Sequence, residues 1–452
     1  MQTSTLRVIC YLAVVLLSFT SLPLLAIDQR ASSSYPDFEL TVGGRTFFTA
    51  RNDFSTGFVL WVTDTTPAGT FALTDPHQLS ILYPYVVRLG SDALFRDASG
   101  TLWLSNGTVA GTRMIDASIR PLGIDPPMVG GDSIAWFRAR TSAEGTELWV
   151  TDGLPLGTHM LADLFPGPVS SNPVAIGAIG DALFFYAFTP LGRAVFVSDG
   201  TIAGTVKLAS VTPDAVGILP TVNSKLLFLA GPSDASDLWS TDGTAAGTKM
   251  IHHFATPFVF GFARVAQEVY FQVADEVDAL QLWRTDGTAA GTTMVANLPA
   301  AQRSDGVGRT YALGNLVVFE ARVNGSWGLW SYDPASGAVH LIKDGFVKID
   351  IASADAQSQS LFFITEDVIT ALWRTDGTTA GTTLVRTFGP PVLLFLDTRW
   401  SMMAAGTGVV FGIDDGVSGV EPWFSDGTER GTYRLANIKT DPPSLKPRSV
   451  RH

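Results

Sequence analysis

The sequence predicts an all-β fold, a β-propeller of about nine four-stranded blades, and three observations predict it. A pattern built on Leu-Trp and Asp-Gly-Thr recurs nine times along the 452 residues. Its aromatic residue returns at intervals of 42 to 50 residues, the length that one four-stranded blade occupies. Short runs of aromatic and β-branched residues alternate with turn residues throughout, and no stretch carries a convincing helical period.

The repeat is plainest at 282–295 (LWRTDGTAAGTTMV), 238–251 (LWSTDGTAAGTKMI) and 372–385 (LWRTDGTTAGTTLV). Further copies lie at 148–161 and 102–115, looser ones at 195–208, 422–435 and 60–73, and at 329–342 the flanks persist around a changed turn. The aromatic anchor falls at Trp61, Trp103, Trp149, Phe196, Trp239, Trp283, Trp330, Trp373 and Trp423. Its fixed place before the turn points to packing between blades rather than to carbohydrate stacking.

Each period divides into four short strands. In the fourth repeat these are Pro173 to Gly180, Ala182 to Phe188, Ala194 to Ser198 and Thr205 to Ala209. The second strand recurs as TFFTA at 46–50, IAWFRA at 134–139, LLFLA at 226–230 and LFFIT at 361–365. Such runs are apolar on both faces, as strands covered by neighbouring blades on both sides require. The third and fourth strands are joined by the Asp-Gly-Thr turn. Glycine accepts positive φ there and aspartate bonds nearby amides, which accounts for Asp152, Asp199, Asp242, Asp286, Asp376 and Asp426 without any chemistry. The later glycine, such as Gly291, reads as a second permissive point.

At these residues, Leu-Trp-x-[Ser/Thr]-Asp-Gly-Thr-x-x-Gly-Thr, the chain resembles the ELWxxDGT repeats of exported bacterial proteins. It is similar, more distantly, to the Asp-box hairpin of sialidase-like propellers. The resemblance spans about residues 36–438 and implies a fold, not an activity. The Glu before Leu-Trp is present only at Glu147, the first repeat has Thr65-Thr66-Pro67, the second has Asn106 for Asp, and the seventh has Pro334-Ala335-Ser336. Both ends carry a complete unit, so the ring is expected to close side by side. Eight blades plus an appendage, or an open array, is the alternative.

Flanking segments set the compartment. Arg7 precedes an apolar run from Val8 to Ala26, with Pro23 near its end, which reads as a secretory signal over residues 1–26. An uncleaved anchor is the alternative, and no later segment is long enough to span a membrane. The protein is therefore expected to be exported: extracellular, on the cell surface or periplasmic. The only cysteine, Cys10, lies in this segment, so the mature chain holds no thiol for disulfide, catalysis or metal. Residues 439–452 form a short basic tail after which nothing else is distinctive. A net charge of −12 with no basic stripe argues against nucleic acid.

Chemistry is sparse. There is no Gly-x-Ser-x-Gly and no phosphate-binding loop. His159 and His340 fall at solvent-edge strand positions, and His252-His253 read as a turn after the fourth strand of repeat five. Asp275, Glu276 and Asp278, and Asp414 and Asp415 with Glu421, read as acidic loops between second and third strands. Calcium takes such oxygen ligands, although the Asp-x-Asp-x-Asp-Gly spacing is missing. First strands line a propeller's channel, so Arg88, Arg264 and Asp350 are weak ligand candidates there. The reading is a monomeric, non-enzymatic binding or surface-scaffold module for a polysaccharide or a protein, needing no cofactor. A glycan-cleaving enzyme using paired carboxylates and a calcium-stabilised adhesin are the alternatives.

Overall fold

The computed structural model describes residues 33–439, apart from 52–57, 75–85, 98, 117–127, 212–218, 233–234, 257, 275–278, 303–307, 324–325, 347, 356–358, 367–368 and 390–400. The expected signal (1–26) and all of the basic tail after Lys439 lie outside the described residues.

The chain forms nine antiparallel blades in a nine-bladed β-propeller, and each blade is built from consecutive strands. In blade 4 these are Val174–Ile179, Ala182–Thr189, Gly192–Ser198 and Val206–Ser210, within a residue or two of the sequence reading. Blade 5 shows three strands, and Val222, bridged to Lys225, stands for its innermost segment. Between blades 6 and 7 the ladder continues, because Ala301 and Gln302 pair with Val323 and Arg322.

Buried apolar side chains gather in nine clusters, one at each seam between neighbouring blades. The first joins Phe47, Leu60 and Val62 of blade 1 to Val86 and Phe95 of blade 2. The last joins Phe38 and Phe48 of blade 1 to Val410 and Phe424 of blade 9. Nine seams for nine blades make a closed ring, which excludes the open array and the eight-bladed alternative. Closure is side by side, as expected: blade 1 takes all its strands from Asp37–Ala72 and blade 9 all of its own from Met402–Arg434.

Why tryptophan recurs is now clear. In every blade the anchor lies directly across the ladder from a phenylalanine of the second strand, from Phe48 opposite Trp61 to Phe411 opposite Trp423. Rings stack in most of these pairs, as for Phe228 and Trp239 with centroids 6.0 Å apart and planes 16° apart. A cross-strand aromatic pair contributes roughly 0.2–1 kcal/mol, so nine of them matter. In blades 2 to 8 the register with the fourth strand shifts beside this anchor, a bulge that strengthens the twist each blade needs.

Candidate functional site

The repeated polar residues are consumed inside their own turns. Asp286 Oδ1 accepts from the Thr288 amide at 2.8 Å and its hydroxyl at 2.7 Å. The same hydroxyl accepts from the Gly291 amide at 3.0 Å. Thr292 then donates to the Thr288 carbonyl at 2.7 Å and meets the Thr285 hydroxyl at 2.8 Å. Asp199, Asp242, Asp376 and Asp426 repeat this set, Asn106 substitutes for aspartate without loss, and Asp152 keeps the bond to the Leu154 amide. These bonds hold the carboxyls of Asp199, Asp242, Asp286 and Asp376 below their ordinary range.

The later glycine of the turn has a different reason from the one the sequence suggests. Gly291 does not adopt positive φ. A Cβ there would lie 2.1 Å from Asp286 Oδ1, and the equivalent glycines of the other Asp-Gly turns are as crowded. The carboxylate sits where a side chain would stand. In the first repeat Thr65 occupies the left-handed position (φ 76°) that glycine holds elsewhere, and the turn still forms. In the seventh, Asp333 caps Ala335 and Ser336 in a shorter turn closed by Gly337.

Several donors tie one blade to the turn of the next. Arg45 donates to the Gly107 carbonyl, Arg113 to Gly153 at 2.9 Å and Asn223 to Asp286 at 3.1 Å. A stronger clasp uses two buried glutamates. Glu147 is fully buried and accepts from the Ser171 amide at 2.8 Å, the Ser171 hydroxyl at 2.5 Å and the Leu164 amide at 3.1 Å. Ser171 opens blade 4, so the carboxylate of blade 3 holds its neighbour's entry segment.

Glu421 does the same at the point where the ring closes. It accepts from Ser34 Oγ at 2.8 Å and from the Ile438 and Lys439 amides at 3.0 and 3.3 Å. Ser33-Ser34-Tyr35-Pro36 thus stands where Ser170-Ser171-Asn172-Pro173 stands between blades 3 and 4. Tyr35 and Asn172 share positive φ, at 49° and 45°. Burial pushes both carboxyls up against their hydrogen bonds, Glu421 to about 7. Glu421 is therefore a strand residue and not part of an acidic loop, which corrects the sequence reading. The Ser-Ser-x-Pro recurrence and the Glu-x-Trp shared by Glu147 and Glu421 were the signals available.

Of the channel candidates, Arg88 and Arg264 do not converge. Arg88 pairs with Asp132 on the exposed rim, and Arg264 donates to the Ala266 carbonyl of its own turn at 3.1 Å. Asp350 falls within the strand Lys348–Asp355, and its side chain lies outside the described residues. So do Asp275, Glu276 and Asp278. Asp414 and Asp415 cap the amides of Gly416, Val417 and Ser418. His252 and His253 lie in the strand Lys249–Phe254 rather than in a turn. They face opposite ways: His252 packs on Trp283 with centroids 5.0 Å apart, and His253 Nδ1 lies 2.6 Å from Asp237. Among the described residues, no three histidine, cysteine or acidic side chains gather to hold a metal, and no helix is long and apolar enough to cross a membrane.

One cleft was not foreseen. It lies at the seam of blades 4 and 5, has a volume of about 540 Å³ and is lined by Phe188, Leu191, Arg193, Val211, Asp237 and Trp239, among others. Leu191 stands at its lip, 90% exposed. Arg193 lies over the Phe188 ring at 4.3 Å.

No protein-family profile matches the chain, and a search of curated proteins finds no relative. Solved structures are matched at low identity. A puromycin-hydrolysing peptidase of Mycobacterium tuberculosis is 11% identical with a TM-score of 0.49, over 87% of this chain and 60% of the peptidase. A prolyl endopeptidase is 15% identical with a TM-score of 0.46, over 92% of this chain and 56% of its own. The computationally designed Ika8 protein is 14% identical with a TM-score of 0.44, over 75% of this chain and 95% of its own. This chain thus spans little more than half of either peptidase.

Proposed function

We propose that the protein is an exported binding or surface-scaffold module that presents loops and seams of a rigid ring to a polysaccharide or a protein. The observation that carries this reading is how the repeated polar groups are used. Aspartates, threonines and glycines of the turns are all committed to holding the turn, so these polar groups supply stiffness and recognition falls to other residues. A ring closed by nine apolar seams gives such residues fixed positions, and preorganised surfaces bind with less entropic loss. The apolar run from Val8 to Ala26 after Arg7 supports export.

The test is a binding screen of residues 27–452 against arrayed polysaccharides and extracellular proteins, with the same samples assayed for released reducing sugar. Saturable binding without product is the expected result. Release of sugar would replace this reading with a glycan-cleaving enzyme, and no binding across both arrays would remove it.

A further inference from the structure

At several seams the fourth strand of one blade faces the tryptophan of the next, and one register position covers that ring. The position lies opposite the residue preceding the anchor: His252 opposite Leu238, Lys343 opposite Leu329, Arg386 opposite Leu372 and Ala209 opposite Val195. His252 covers Trp283 at 5.0 Å, Lys343 Nζ lies 4.6 Å over Trp373 and the Arg386 guanidinium 5.1 Å over Trp423. Two residues on, Phe254 and Phe388 pack edge-on against the same tryptophans as His252 and Arg386, at 5.1 and 5.4 Å. At the seam of blades 4 and 5 both positions are small, Ala209 and Val211. Trp239 is stacked on Phe228 on its own blade and is only partly buried. The cleft of about 540 Å³ is lined at this seam by Val211 and Trp239, with Ala209 one residue before its lining residue Ser210. Ala162, opposite Leu148, and Ala296 are also small, but two residues on stand Leu164 and Leu298, and beyond Ala296 the outer strand runs on to pair with blade 7.

We infer that this cleft is a carbohydrate subsite, with Trp239 as the apolar platform for one sugar ring of a neutral glycan. The inference rests on the binding-module reading and names its site. The volume lies within the roughly 300–1,000 Å³ usual for small-ligand sites. The charges choose the class of ligand. Arg193 on one wall disfavours a cation, and Asp237, which already holds His253, disfavours an anion. A neutral ring with an apolar face and a rim of hydroxyls suits both: hydroxyls can accept from Arg193 and donate to Asp237 while the flat face covers the indole. Ser210 and the backbone at Gly192 and Gly231 add polar groups to the wall.

The experiment is calorimetric titration of residues 27–452 with neutral hexaoses of glucose, mannose and xylose, with hexagalacturonate as anionic probe and pentalysine as cationic probe. At least one neutral oligosaccharide is expected to bind at one site per chain. Ala209→Arg, which places in blade 4 the side chain that Arg386 supplies in blade 8, is expected to weaken it at least tenfold with an unchanged melting midpoint. Trp239→Ala is expected to do the same, and the arginine variant keeps the test valid if the alanine variant fails to fold. The proposal is overturned if no neutral probe binds, if a charged probe binds better, or if Ala209→Arg leaves affinity unchanged. A polysaccharide that the screen shows bound equally by wild type and Ala209→Arg would overturn this site and leave the binding-module reading standing. Silence in both experiments would overturn both.

Discussion

Replacing Glu421 with alanine should open the ring at its closure and nowhere else. The carboxylate is fully buried and receives one hydroxyl and two amides. Ser34 Oγ has a second acceptor, the Val420 carbonyl at 3.1 Å, but the Ile438 amide loses its bond to the carboxylate. A buried donor without a partner costs about 1–3 kcal/mol, and the Lys439 amide loses its bond at 3.3 Å as well. Relief of the buried charge offsets part of this, leaving a net loss of about 1–2 kcal/mol. Hydrogen exchange read by mass spectrometry is the assay. Peptides covering 33–42 and 432–439 should exchange faster in Glu421→Ala, while those of blades 3 and 4 keep their rates. Glu147→Ala should give the converse pattern. Unchanged exchange at the termini, or equal loosening of every blade by either variant, would refute the clasp.

The same residue makes a pH prediction. Its carboxyl is raised from 4.5 to about 7 in the folded chain, so between those values the folded state binds more protons than the unfolded one. Stability contributed here is therefore fully present below about 4.5 and lost as the pH rises through about 7. Glu421→Gln should flatten that limb of a denaturation-versus-pH curve, and an identical curve would count against it.

Other consequences concern the turns. Thr65→Gly should stabilise the protein by about 1 kcal/mol in urea denaturation, because release from left-handed strain of roughly 1–3 kcal/mol exceeds the entropy that glycine adds to the unfolded chain. Gly291→Ala should destabilise by about 1–3 kcal/mol, since its methyl must displace the Asp286 carboxylate; in an Asp286→Ala background the same change should cost less than about 0.5 kcal/mol, a coupling that a double-mutant cycle reads. The aspartates whose carboxyls are lowered contribute stability present above their ordinary value of 3.8 and lost as the pH falls through their folded values. Asp376→Asn, which reproduces the turn of Asn106, should lessen the loss of melting temperature on acidification.

Much of the fold was legible because it is written in repeated local signals. Asp286-Gly287-Thr288 specifies its hairpin almost alone, and the period of the tryptophans gives the blade. What escaped depends on partners distant in the chain. Glu421 reads as one acid among several near Asp414 and Asp415, since only the folded ring brings Ser34 to it across 387 positions. Gly291 reads as a flexible point because a carboxylate five residues earlier in sequence is not visible as a steric wall. The cleft escaped for a subtler reason: it is defined by what Ala209 and Val211 lack relative to His252 and Phe254 at another seam. Such an absence shows only once strand register aligns the seams.

The closed ring and its clasp presuppose that blade 9 lies against blade 1, and a cross-link tests this most directly. The Thr41 hydroxyl of blade 1 donates to the Ala404 carbonyl of blade 9 at 3.2 Å. The chain's only cysteine is Cys10, so residues 27–452 carrying Thr41→Cys and Ala404→Cys offer a short bismaleimide just two thiols. A closed ring of nine blades predicts rapid intramolecular cross-linking at high dilution, with a shift in electrophoretic mobility absent from either single variant. A pair that remains unlinked in the folded protein would contradict closure.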